Sequence, residues 1–397
     1  MVSVTEQYDL FPYPERDPAD ERHRLIAGSP SHPLEMDHFL WSGHRDWSKP
    51  LRALFAGGGT GDGLIQLATL LQSADRPYEI TYVDLSRAAR RIAEARAEMR
   101  GLTGISFVTG SLLEAGSLGV FDYIDCCGVL HHLPDPAAGF AALRDALAEG
   151  GGMGFMVYAP YGRSGVYPLQ EAFNSLFSGL PPEERLKRGR EVLGRLSDGH
   201  PFRTNPNLGD HLQSDAGFYD LLLHGQDRSF SVSELLAVMD DTGWDLVSFT
   251  TPALYDLARF ASVPEGMPVE TQWALAEKLN GAIRTHVGYA VCKGGPRRPA
   301  SGRDLSSVPH LKGVKPGPLA QAVANGRALP VVQGALRTEI TLPAGAATII
   351  AAIDGRRSLA EVAQAARVDP IAFGAVWSRL EAALVPWGLL LYSGLSR

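Results

Sequence analysis

The chain has 397 residues, enough for two domains or for one large domain with additions, and its 45% hydrophobic and 20% charged residues are those of a soluble globular protein. A formal charge of −7 argues against a non-specific nucleic-acid binder, which needs a basic face for phosphate. Three cysteines, Cys126 and Cys127 adjacent, make neither a disulfide framework nor a paired zinc spacing and point to a cytoplasmic setting. The first 22 residues have no signal-peptide pattern, and no apolar run is long enough to span a bilayer, so no membrane partner is expected.

Residues 1–50, rich in Pro, His and aromatics, read as an N-terminal cap in which Tyr8 and Tyr13 are candidate lid residues. From Leu51 strands and helices alternate. "LRALFA" is a strand and "GDGLIQLATLLQSA" a helix; "EITYVDL" is a strand ending near Asp84, and Ser86 caps the next helix. "ISFVTGS" and "FDYIDCCGVL" follow as strands, Asp135-Pro136 opens a helix, and "GMGFMVYAP" is the fifth strand. This alternation implies right-handed crossovers and a doubly wound sheet. Residues 160–230 break the rhythm and read as an insertion over the carboxyl edge of the sheet. The pattern resumes at the Ser231–Glu234 capping box and runs to about 295. A Pro/Gly/basic stretch at 296–327, including Arg297, Arg298 and Arg303, reads as a linker. Residues 328–397 read as a small winged-helix-like domain.

The stretch "ALFAGGGTGDG" (53–63) packs five glycines into seven residues after the first strand. It has no Lys-Ser/Thr pair, so it is not a phosphate loop, and its spacing misses the dinucleotide fingerprint. What remains is Gly57-x-Gly59-x-Gly61 with an acid, Asp84, at the end of the second strand. Such a loop brings backbone N–H groups against a compact zwitterionic tail, and Asp84 can accept from both hydroxyls of a ribose. A ligand with an amino-acid tail, a ribose and an adenine but no phosphate meets these demands, as S-adenosylmethionine does.

Over residues 51–295 the sequence resembles the class I S-adenosylmethionine-dependent methyltransferases. "ALFAGGGTG", "YVDLS", "GSLLE" and "FDYIDCCGVLHHLPDPAAGF" with "AEGGGMGFMVYAP" carry the resemblance. It implies a Rossmann-like, seven-stranded α/β fold with S-adenosylmethionine as cofactor. It also implies that Gly57, Gly58, Gly59 and Gly61 meet the methionine tail and that Asp84 meets the ribose. Leu85, Gly110 and Ser111 would lie at the adenine, and Cys127, Gly128 and Leu130 along the sulfonium. Phe55 departs from the family's commonest pattern, which has an acid there to help hold the ammonium group. The opening segment, "HGQDRSFSVSELLAVMDDTGW" and "IIAAIDGRRSLAEVA" are also similar to bacterial methyltransferases linked to protein lysine methylation.

Tyr158 and Tyr161 follow the fifth strand, where a methyl acceptor commonly lies, and are catalytic candidates; Arg163 and Tyr167 are close by in sequence. His224, with Asp227 to orient it, is a candidate base. His131 and His132 are read as pocket lining, with no metal expected, since no further ligands accompany them at metal-site spacing. The acceptor is read as a small molecule or a protein, a small molecule being preferred and a protein lysine the alternative. A catalytically silent S-adenosylmethionine-binding regulator is a further alternative. The C-terminal module could dock a partner or dimerise.

Overall fold

The computed structural model describes residues 8–296, 298–334 and 336–397, so Arg297 and the start of the N-terminal cap lie outside the described residues. Seven strands form the central sheet: β1 (Leu51–Ala56), β2 (Tyr78–Asp84), β3 (Ile105–Thr109), β4 (Phe121–Cys127), β5 (Leu147–Tyr158), β6 (Trp244–Phe249) and β7 (Thr285–Cys292). Their order is β3-β2-β1-β4-β5-β7-β6. Strands β1 to β5 pair in parallel, while β7 runs antiparallel to both β5 and β6. The sheet is therefore mixed. Its strand order reverses between β1 and β4, and open α/β sheets bind ligands in the crevice at such a switch point.

Helices cover both faces: α1 (Pro33–Leu40) and α2 (Asp62–Ser73) with α3 (Arg87–Met99) on one side, α4 (Pro136–Asp145) on the other. The expected caps are present, with Ser86 accepting from Ala89 N and Asp135 from Ala137 N. The insertion folds as α5 (Val166–Leu176), α6 (Pro182–Leu193) and α7 (Asp215–Leu222) around its own apolar cluster, which includes Phe173, Phe218 and Leu222. Helix α8 (Val232–Asp241) begins at the predicted capping box.

The N-terminal segment lies across the mouth of the switch point as a strap. It is fastened by Arg96 of α3, which is 1% exposed and reaches Glu21 (2.7 Å), Asp62 (2.7 Å) and the carbonyl of Thr60 (2.7 Å). Arg16 is paired with Asp62 at 2.6 Å, and Thr60 donates to the carbonyl of Pro14. Removing one partner of a buried ion pair leaves an uncompensated charge. Arg96→Ala is therefore expected to lose about 3–5 kcal/mol, read as a lower urea midpoint at unchanged slope.

Two boundaries differ from the sequence reading. The stretch 296–327 is not a linker: it holds β8 (Pro309–Leu311) and α10 (Pro316–Ala324), with α9 (Val269–Asn280) preceding it in the sheet domain. Ala300, Leu319, Ala320 and Val323 belong to the same apolar core as α11 (Ala347–Ala351), α12 (Leu359–Ala366) and α13 (Pro370–Leu384). The C-terminal unit thus starts near residue 300. In it a hairpin, β9 (Leu329–Gln333) with β10 (Leu336–Ile340), precedes the helices, and the last strand, β11 (Leu390–Tyr392), pairs with β8. This unit is tied to the sheet domain through α1. Asp37, fully buried, accepts from Ser393 Oγ (2.7 Å) and Gly394 N (3.0 Å), and Leu391 and Leu395 enter the core beside α1 and β1.

Among the described residues no helix is long and apolar enough to cross a membrane.

Candidate functional site

The loop after β1 turns back at once against neighbouring side chains. Gly57 has φ +73°, and a Cβ there would stand 2.5 Å from Val129 Cγ2; a Cβ on Gly58 would stand 2.5 Å from the Tyr82 ring. Only glycine fits, and the backbone is left bare on the side of a cavity of about 470 Å3 at the carboxyl ends of β1, β2 and β4. That is within the size range of small-molecule sites, about 300–1,000 Å3. Asp84 closes the loop from β2: its carboxylate accepts from Gly59 N (2.8 Å) and Ser86 N (2.8 Å). Burial raises its pKa, and those N–H donors oppose the rise.

Gly57, Gly58, Gly59, Gly61, Asp84, Leu85, Gly110, Ser111, Cys127 and Gly128 all line this one cavity. Leu130 does not. It is fully buried in the core beneath α4, where Gly139 gives it room. A leucine flanked by a turn and a helix is more stable in that core than beside a charged ligand.

The far end of the cavity is built from three separate segments. The strap supplies Tyr8 and Tyr13, β5 supplies Tyr158, and the insertion helix α7 supplies Asp220. The Asp220 carboxylate, 4% exposed, is held by two hydroxyls: Tyr8 donates to Oδ1 (2.9 Å) and Tyr158 to Oδ2 (3.1 Å). The guanidinium of Arg163 sits over the Tyr158 ring at 3.6 Å and is paired with Asp227 (3.2 Å), whose carboxyl burial pushes up to about 6.

His132 also lines the cavity, stacked at 4.0 Å on the ring of His224. His132 Nδ1 faces the carbonyl of Gln226 at 3.1 Å, and a carbonyl only accepts, so Nδ1 carries the proton and Nε2 the lone pair. The opposite holds at His224. Its Nδ1 accepts from Gln226 N (3.0 Å), which puts the proton on Nε2, 3.3 Å from the Tyr8 hydroxyl. Burial lowers both histidines, His224 to about 3, so both rings are neutral near pH 7. His132, Asp220 and His224 are close enough to share an ion, but both His224 nitrogens are already committed to Gln226 and Tyr8. His224 is therefore placed as a donor that positions Tyr8, and of these two stacked rings the one with a free lone pair is His132.

Of the catalytic candidates, Tyr158 is in the cavity and His224 stands behind it. Tyr161 is neither. The chain turns at Tyr161–Arg163, pinned by Gly162 N to the carbonyl of Ile283, and carries Tyr161 toward Glu277 and Glu234. Sequence reasoning missed Asp220, whose signal is a lone acid inside the apolar helix "GFYDLLL", and the free lone pair of His132.

The comparisons with known proteins bear on this geometry. Residues 54–153 match the family described as "Methyltransferase domain". An uncharacterized Synechococcus protein, syc1184_c, is 33% identical over 219 residues, covering 50% of this chain; the chain spans 48% of that relative's length. The solved structure of PKMT2 from Rickettsia typhi superposes with a TM-score of 0.63 at 14% identity, over 92% of this chain and 76% of that one. The same protein in complex with AdoHcy gives 0.61 at 13% identity. The shared fold is the class I methyltransferase fold, Rossmann-like and seven-stranded. The bare loop, the Asp84 carboxylate and the cavity volume fit S-adenosylmethionine, the cofactor that the sequence resemblance implies.

Proposed function

We propose that the chain transfers a methyl group from S-adenosylmethionine to an amine, received between Tyr8, Tyr158, Asp220 and His132. One observation carries this reading: a buried carboxylate, Asp220, held by two tyrosine hydroxyls at the closed end of the donor cavity. A carboxylate ringed by aromatic faces draws in a cation and strips it of water. An ammonium cannot attack until it loses a proton, and the His132 lone pair accepts that proton. When bound, S-adenosylmethionine supplies an activated methyl on a sulfonium that is already a good leaving group. The protein's own contribution is then orientation and exclusion of water.

The strap roofs this end, which favours a small or thin acceptor; a free amine is the first reading. The end of a protein lysine is the second, supported by the likeness to the protein lysine methyltransferase PKMT2 across both the sheet domain and the C-terminal unit. The test is methyl-labelled S-adenosylmethionine offered with fractionated cell extract, using wild type and Asp220→Asn. Label in the low-mass fraction, lost in the variant, is the expected result. Label on protein lysine selects the second reading. No transfer to either fraction by a protein that binds the cofactor defeats both and leaves a silent binding protein.

A further inference from the structure

The donor's methionine tail carries an ammonium group, and the side chain one residue before the end of β1 cannot hold it: Phe55 is apolar and 1% exposed. On the neighbouring strand, however, the register partner of Phe55 is Asp125. Asp125 lines the same cavity, as does Gly63 at the start of α2, and Ser31 Oγ lies against both. Its carboxyl is 5% exposed and is met by two hydroxyls, Ser31 Oγ from the strap and Tyr123 Oη at 3.4 Å. The other titratable groups around it are Cys126 and Cys127 of β4 and Tyr289 of β7, with Glu35 of α1, itself paired with Lys312, beyond Tyr123 and Tyr289. Burial pushes the Asp125 carboxyl up to about 7. A buried acid supported only by hydroxyl donors is a poor anion alone and a good partner for a cation.

We infer that Asp125 receives the α-ammonium of the methionine tail, taking from β4 the task that an acid on β1 performs in the commoner pattern. The inference rests on the donor reading above. It places the tail between Asp125 and the N-terminal turn of α2, whose unpaired N–H groups suit the tail's carboxylate.

The experiment titrates the full chain with S-adenosylhomocysteine, its analogue lacking the α-amino group, and 5′-methylthioadenosine, which lacks the tail. Wild type is expected to prefer S-adenosylhomocysteine over the deamino analogue by at least about 30-fold, as for a buried charge pair. In Asp125→Asn that preference is expected to shrink to within about 3-fold, while 5′-methylthioadenosine binds as in wild type. A preference that survives in Asp125→Asn overturns the proposal. Wild type alone gives a second reading, independent of whether the variant folds. The ammonium needs the ionised carboxyl, so the preference should fall about tenfold per pH unit below about 7. A preference constant between about pH 5.5 and 8 also overturns it. If wild type binds not even 5′-methylthioadenosine, the donor reading itself has failed.

Discussion

Asp84→Ala is expected to bind S-adenosylhomocysteine at least about 100-fold more weakly than wild type, since hydrogen bonds to a charged group contribute about 1.5–3 kcal/mol each. The carboxylate has two tasks. On the proposed function it offers acceptors to the two ribose hydroxyls, and it holds the loop through Gly59 N while holding the start of α3 through Ser86 N. Alanine removes both and leaves those N–H groups to water. Asp84→Asn keeps one acceptor oxygen and is expected to fall between the two. Calorimetric titration of the three proteins, with NAD as a control ligand, decides the matter. Tight NAD binding, or an Asp84→Ala protein with wild-type affinity, contradicts the assignment.

The second large effect is on transfer rather than binding. His132→Phe keeps a ring against His224 but removes the lone pair, and general-base catalysis contributes about 10²–10⁴-fold. The turnover number should drop by that order while the affinity for S-adenosylhomocysteine stays within about 3-fold. The pH profile adds a signature that a packing defect does not give. Burial holds the His132 pKa below its ordinary 6.5, so the neutral ring persists through neutral pH and is lost only as pH falls through that lowered value. Wild-type turnover should therefore decline on the acid side below pH 6.5, and the variant should lack that limb. An unchanged turnover number would assign the proton to another group, with Asp220 the carboxylate that lines that end of the cavity.

Much of the donor half of this molecule is written locally. A strand, a glycine run and an acid at the end of the next strand are adjacent in sequence, and parallel pairing makes them adjacent in space. The acceptor half is not written that way. Tyr8, Tyr158 and Asp220 come from three segments that meet only after the insertion folds over the sheet, and no spacing in the sequence encodes their meeting. Asp125 was hidden for a different reason: its importance lies in being level with Phe55 across a strand pair, a register that only the folded sheet fixes. The linker reading failed on punctuation. Pro316 was counted as a breaker, yet proline is also a favoured first residue of a helix, and here it opens α10. Tyr161 failed because a single tight turn after β5 separates it from Tyr158.

The tie between Asp37 and residues 393–394 has a consequence for the order in which the molecule can be completed during synthesis. Helix α1, just beyond the Ser31 that touches Asp125, leaves the ribosome roughly 20–70 s before β11 at about 5–20 residues per second. Through that interval Asp37 is an acid without its last two partners, facing an apolar surface that Leu391 and Leu395 later cover. The newborn sheet domain is thus an unfinished body waiting for its own tail.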